Sequence, residues 1–93
     1  MAKAVAWEVG ADNIRVNVIC PGAVEGERIE RVMHKRARDH GLTYEEMIAK
    51  TTSDTPLRRF VTPEEIAATA LFLASDESAG ITGEVVIVSG GRR

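Results

Sequence analysis

The chain has 93 residues, of which 44% are hydrophobic and 28% are charged, so it fits one small domain or part of a larger one and is not a disordered chain. A net charge of −2 at pH 7 gives no general attraction to nucleic acid or to an anionic membrane. The single cysteine excludes an intrachain disulfide, and no stretch approaches the about 20 apolar residues of a membrane span, so we expect a cytoplasmic protein without membrane or nucleic-acid partners.

The first two predicted elements are a helix and a strand. Residues 1–9 carry apolar side chains at helical spacing, and Gly10 suits the helix end because it can adopt a positive φ. No capping residue precedes this helix, which begins in mid-pattern as though the chain had been cut. Residues 14–20, IRVNVIC, alternate as a strand whose C-terminal end is expected to be covered on both faces. Pro21 ends the strand because it cannot donate to a ladder.

Three more helices and a second strand follow. Residues 27–39 have the spacing of a charged helix, Thr43 opens a short helix with a capping box, and Thr62 opens a longer helix over 63–75 in the same way. Residues 84–89, EVVIVS, form a short apolar strand. Strands that are separated by helical crossovers predict a parallel sheet in an α/β fold.

The segment 25–60 is rich in charge and carries two weakly amphipathic helices. Local opening of such a segment should cost little free energy. We therefore expect it to be more mobile than the helix over 63–75 when no ligand is bound.

The turn at Pro21-Gly22 is the first candidate site, because ligands of open α/β sheets bind beyond the carboxyl ends of the strands. The alternative is a plain strand-to-helix turn, in which proline and glycine are common. A phosphate loop is disfavoured, because Arg28 replaces its last glycine and the neighbouring Glu25 and Glu27 would repel a pyrophosphate.

The remaining chemically interesting side chains favour structural or solvated roles. Cys20 has no evident base nearby and is interpreted as a buried structural thiol. His34 and His40 lack the spacing of zinc ligands and are expected to be exposed, so no metal site is predicted. The interleaved charges of residues 27–39 predict a solvated, ion-paired helix face rather than a nucleic-acid surface.

The sequence contains, in this order, the segments NIRVNVICPGAV, TPEEIAATALFLASDESAGITG and VVIVSGG. Together they closely resemble the C-terminal portion of short-chain dehydrogenases/reductases. MAKAVAWEVG resembles the later half of the family's long helix before its sixth strand. The resemblance implies a partial Rossmann-type (doubly wound) α/β fold with two parallel strands and crossover helices. In it, residues 1–24 supply the end of a helix, a strand like the family's sixth and the Pro-Gly turn, residues 25–60 resemble the substrate lid, and residues 61–93 resemble the last helix and strand.

The resemblance also implies a cofactor, NAD or NADP, in the complete enzyme. Pro21, Gly22 and the backbone of Val24 match positions that line the nicotinamide pocket of enzymes acting on small-molecule carbonyl or alcohol substrates. Gly26 stands where the family often has a threonine that contacts the carboxamide, and Ser89 replaces a usual aspartate. Because the last helix and strand often make subunit contacts in the family, a homo-oligomer is expected.

No catalytic residue of the family is expected in this chain. The family's glycine-rich loop, catalytic serine and Tyr-x-x-x-Lys pair match positions upstream of Met1, and the sole tyrosine here, Tyr44, is followed four residues later by Ile48. We therefore predict that the chain alone is inactive and does not bind NAD(P)H measurably. The alternative is a non-catalytic segment that serves as an oligomerisation or interaction module.

Overall fold

The computed structural model describes residues 1–91, which form four α-helices and one two-stranded sheet. The helices are α1 (Ala2–Val9), α2 (Glu27–His40), α3 (Tyr44–Thr52) and α4 (Pro63–Ala74), and the strands are β1 (Val18–Pro21) and β2 (Val85–Val88). Short 3-10 turns cover Gly10–Asp12 and Asp76–Ser78. Within residues 1–91, none of the helices has the length and apolar character needed to cross a membrane.

The two strands pair in parallel, as the helical crossovers predict. Val18 lies opposite Val85, and Pro21 lies opposite Val88. The predicted α/β class, with two parallel strands and crossover helices between them, is thereby confirmed. The ladder begins later than predicted, because residues 14–17 lie outside it. Pro21, predicted to end the strand, lies inside β1, since its carbonyl side can still pair although it has no N–H to donate.

Residues 14–17 are fixed by side-chain hydrogen bonds instead of strand pairing. The Arg15 guanidinium donates to the Ser78 hydroxyl at 3.1 Å and to the Ile81 carbonyl at 3.2 Å. The Asn17 amide donates to the same carbonyl at 3.1 Å. The sequence pattern puts Arg15 and Asn17 on the outer face of a longer strand. In the structure they instead fix the segment that leads into β2.

The helix starts agree with the capping signals. The Thr43 hydroxyl accepts from the Glu46 N–H at 3.1 Å, and the Glu46 carboxylate accepts from the Thr43 N–H at 2.9 Å. Thr62 and Glu65 form the same reciprocal pair at 3.1 and 2.8 Å. These local signals confirm the predicted starts of α3 and α4.

α1 ends at Val9 with Gly10 as its C-cap, as predicted, but the conformation of the cap differs from the prediction. Gly10 keeps a right-handed helical φ of −63° and leads into the 3-10 turn. Asn13, with φ 60°, takes the left-handed position instead. Asparagine tolerates this conformation better than most residues, so the left-handed residue lies three positions after the predicted Gly10.

The hydrophobic core lies between α2, α3 and the segment that precedes α4. Its buried members are Met33, Ala37, Met47 and Phe60. In contrast, α4 contains no buried residue. The segment 25–60, predicted to be the more mobile, thus holds the core, and burial favours the opposite order of mobility.

The sheet is less covered than the sequence predicts. β1 contacts α4 on one side, but most of its residues stay exposed. Cys20, predicted to be a buried thiol, is exposed. The prediction was wrong because α4, the helix that packs most closely against β1 within residues 1–91, leaves Cys20 open to solvent.

Candidate functional site

The carboxyl ends of both strands meet at one edge of the sheet, where the chain turns sharply after Pro21. The Gly22 N–H donates to the Val88 carbonyl at 2.9 Å and extends the pairing by one step. A Cβ at Gly22 would lie 2.8 Å from the Cβ and 3.0 Å from the Cα of Ser89. Close packing of the turn against the end of β2 therefore requires glycine at this position.

A second pairing fixes the chain just beyond the turn. The Glu25 N–H donates to the Val61 carbonyl at 2.8 Å, and the Val61 N–H donates to the Ala23 carbonyl at 3.1 Å. Val61 is only 2% exposed, so this bridge is shielded from solvent. Because backbone groups alternate in direction along an extended segment, the N–H and C=O of Val24 point away from residue 61. Neither group has a hydrogen-bond partner in the part of the chain that the structure describes.

A cavity of about 580 Å³ opens beside this turn. It is lined by Pro21, Gly22, Ala23, Val24, Arg28, Ile29, Val32 and Arg36. Its walls are thus the apolar turn on one side and one face of α2 on the other. No lining side chain can donate and accept a proton near neutral pH, so this arrangement can bind and orient a ligand but offers no acid or base.

An ion pair stabilises the start of α4 behind the bridge. The Arg59 guanidinium donates to both carboxylate oxygens of Glu65 at 2.7 Å. The Arg59 hydrogen bond, supported by the Thr62 N–H, lowers the pKa of Glu65 to about 2, while Glu65 raises the pKa of Arg59. The charge of Glu25 raises the pKa of Arg59 further. Glu65 therefore stays ionised at every pH at which the protein is expected to work.

The structure brings the three predicted cofactor-binding residues, Pro21, Gly22 and Val24, to one cavity. Their role toward a cofactor stays a prediction. Cys20 precedes the turn and does not line the cavity.

The two histidines lie apart from this cavity. The His34 ring stacks on Tyr44 with 4.0 Å between ring centroids, and His40 Nδ1 lies 2.8 Å from the Arg36 carbonyl oxygen. Within residues 1–91, no three His, Cys, Asp or Glu side chains are grouped as metal ligands.

Sequence reasoning missed Arg28 and Arg36 as cavity residues. Their side chains are exposed, but neither belongs to the two ion pairs found among the described residues, Lys3–Glu84 and Arg59–Glu65. The predicted ion-paired face of α2 was therefore wrong. The missed signal is the spacing of Arg28, Val32 and Arg36, which puts all three on one face of the helix.

Comparison with known proteins gives consistent matches over the whole chain. A family model described as enoyl-(acyl carrier protein) reductase matches residues 1–93. The chain is 39% identical over 92 residues to a D-beta-hydroxybutyrate dehydrogenase of Rhizobium meliloti, and 43% identical over 91 residues to a 3-oxoacyl-(acyl-carrier-protein) reductase of Thermotoga maritima. Each match covers 98% of this chain but only 36% and 32%, respectively, of those proteins. The chain thus spans about a third of the length of these relatives.

Solved structures agree with the sequence matches. A short chain dehydrogenase family protein from Francisella tularensis superposes with a TM-score of 0.87 at 34% identity, covering 98% of this chain and 38% of that chain. An L-sorbose reductase from Gluconobacter frateurii, solved in complex with NADPH and L-sorbose, gives a TM-score of 0.83 at 32% identity, covering 97% of this chain and 35% of that chain. The fold seen here therefore corresponds to about a third of each of these structures.

Proposed function

Because the chain belongs to the short-chain dehydrogenase/reductase family, we propose that it is the C-terminal part of a Rossmann-type domain that moves hydride between NAD(P)H and a carbonyl or alcohol substrate. The observation that carries this proposal is the cavity at the carboxyl edge of the sheet, which gathers Pro21, Gly22 and Val24. Ligands of such sheets bind at this edge.

The three segments have separate roles in this proposal. Residues 1–24 supply the end of a helix, the sixth-strand-like segment and the turn. Residues 25–60 form the lid over the substrate, and residues 61–93 provide the last helix and strand, with contacts to other subunits of a homo-oligomer. Arg92 and Arg93, at the end of the third segment, lie outside the described residues.

The nicotinamide end of the cofactor fits the residues present. Within residues 1–91 nothing bonds to the N–H or the C=O of Val24, the two groups that a carboxamide can pair with, and the apolar walls formed by Pro21 and Ile29 lie beside them. When bound, the cofactor supplies the hydride, and this chain's residues orient the ring and exclude water from one side of it. The adenosine and pyrophosphate parts have no glycine-rich loop to hold them within this sequence.

The sorbose reductase that resembles this chain was solved with NADPH, which supports a nicotinamide cofactor for the complete enzyme. The relatives' names include a dehydrogenase of a hydroxy acid and a reductase of an oxoacyl group. Both names support a small-molecule carbonyl or alcohol as the substrate class.

A second candidate function is a non-catalytic interaction module. It is favoured by the large apolar side chains that the fold leaves exposed, among them Trp7 on α1 and Ile87 on β2. Such surfaces associate with other chains when nothing covers them.

A hybrid protein tests the first function. Residues 1–93 replace the matching 91 residues of the Thermotoga maritima reductase, and the unaltered reductase serves as control. We expect a folded hybrid that binds NADH or NADPH and reduces a carbonyl substrate, because the relative supplies the elements absent from this chain. A hybrid that folds with the control's circular dichroism spectrum but binds neither cofactor would contradict the proposal.

A further inference from the structure

The face of α2 that lines the cavity carries two cationic side chains with an apolar side chain between them. Arg28, Val32 and Arg36 recur every four residues, so they lie in one row along the helix. Ile29 lies beside this row and also lines the cavity. Arg28 is in the first turn of α2, next to the Pro-Gly turn, and Arg36 lies about 12 Å further along the helix axis.

Neither guanidinium is neutralised by a neighbouring carboxylate. Among the described residues, neither arginine has an acidic side chain within ion-pair distance. The apolar side chains of α2 serve packing, because Met33 and Ala37 are buried in the core and Ile29 and Val32 pack against it. The arginine row is thus free to meet a ligand from the cavity.

A guanidinium presents paired N–H donors that match the two oxygens of a carboxylate or a phosphate. We propose that the substrate carries such an anionic group, and that Arg28 and Arg36 bind it while its carbonyl or alcohol carbon lies at the turn of Pro21 to Val24. Arg28 would reach the group of a short substrate, and Arg36 that of a longer one. This inference rests on the proposed function, since it places the substrate in the same cavity as the nicotinamide.

Titration of the ¹⁵N-labelled chain by NMR, at concentrations at which light scattering shows a monomer, tests the inference without cofactor or turnover. The probes are acetoacetate as a carboxylate and fructose 6-phosphate as a longer phosphate, with methyl acetoacetate and fructose as neutral analogues. We expect saturable shifts of the Gly22 and Val24 amide signals with one or both anions and none with the neutral analogues. The anion that binds distinguishes a carboxylate from a phosphate substrate.

Two double variants with equal charge change separate the cavity from the general charge of the helix. Arg28→Gln with Arg36→Gln should weaken anion binding about tenfold, the range expected for lost hydrogen bonds to a charged group. Arg31→Gln with Arg38→Gln, on the same helix but outside the cavity, should change it less than twofold. Equal effects of both double variants would overturn the inference.

The same variants in the hybrid reductase provide a second measurement. This measurement tests the anionic-substrate inference if the isolated chain gives no dispersed NMR spectrum. The cavity variant should raise the KM for acetoacetate about tenfold and leave the KM for methyl acetoacetate unchanged. If the hybrid is active but the two KM values do not differ in this way, the anionic-substrate inference is wrong and the proposed function stands. If the hybrid binds no cofactor while the chain still binds anions selectively, the proposed function is wrong and the anion site stands.

Discussion

At the scale of single residues, Gly22 decides whether the Pro-Gly turn can close on the end of β2. Its N–H extends the strand pairing to Val88, and its missing side chain leaves room for Ser89. The sequence placed this glycine in a candidate ligand-binding turn, a role that stays a prediction. The structure gives the glycine a packing reason that holds without any ligand.

Gly22→Ala should destabilise the fold by about 1–3 kcal/mol, the usual cost of forcing a methyl group into a filled space. The added Cβ would stand 3.0 Å from the Cα of Ser89, which cannot move without shifting the backbone of β2's end. Urea unfolding followed by circular dichroism measures the change. Gly10→Ala is the matched control, because its Cβ would meet nothing within 4 Å and its φ already suits alanine. Equal stability of the two variants would show that Ser89 does not confine the turn.

At the scale of elements, α2 and α3 contain buried side chains and α4 does not, so α2 and α3 should be the more stable helices. Met33, 1% exposed, and Met47 lie in the core, whereas α4 has no buried residue. We expect amide hydrogen exchange to be slowest in residues 27–52 and faster in residues 63–74, because protection follows buried apolar contacts. Exchange measured by mass spectrometry on peptides from both regions tests this order.

Met33→Ala should lower the protection of α2 and α3 by about 2–5 kcal/mol, the range for a truncated core side chain. Leu71→Ala, at a position that is 73% exposed, is the control and should leave their protection unchanged. Faster exchange in α2 than in α4 of the unmodified chain would restore the mobile-lid expectation from the sequence.

Features that depend on contacts between residues close in the sequence could be predicted, and features that depend on distant contacts could not. The starts of α3 and α4 could be predicted because Thr43 and Thr62 bond to residues only three positions away. The exposure of Cys20 could not, since it depends on which elements cover β1. The face of α2 that lines the cavity could not be predicted for a similar reason. The sequence shows that Arg28 and Arg36 share one face of the helix, but not which residues lie across from them.

At the scale of the whole molecule, the chain is extended and exposes much apolar surface. Its radius of gyration is 17.1 Å, against about 12 Å for a compact domain of this length. Trp7 is 87% exposed and Ile87 is 67% exposed. Both strands of the sheet also have an unpaired edge, which is a template for pairing with another chain. These surfaces would be covered in a complete domain of the proposed kind.

We therefore expect the isolated chain to self-associate and to bind no NADH. The free N–H and C=O of Val24 offer about 1 kcal/mol each, less than the several kcal/mol lost on association, and no pyrophosphate loop adds to them. NADH fluorescence titration with light scattering on the same sample measures both properties. Ile87→Lys should reduce the scattering, because a charge on the outward face of β2 opposes pairing between chains, while Lys35→Arg, on exposed α2, should not. Saturable binding of micromolar NADH by a monomer would mean that this chain holds a complete nucleotide site, contrary to its proposed role as part of one.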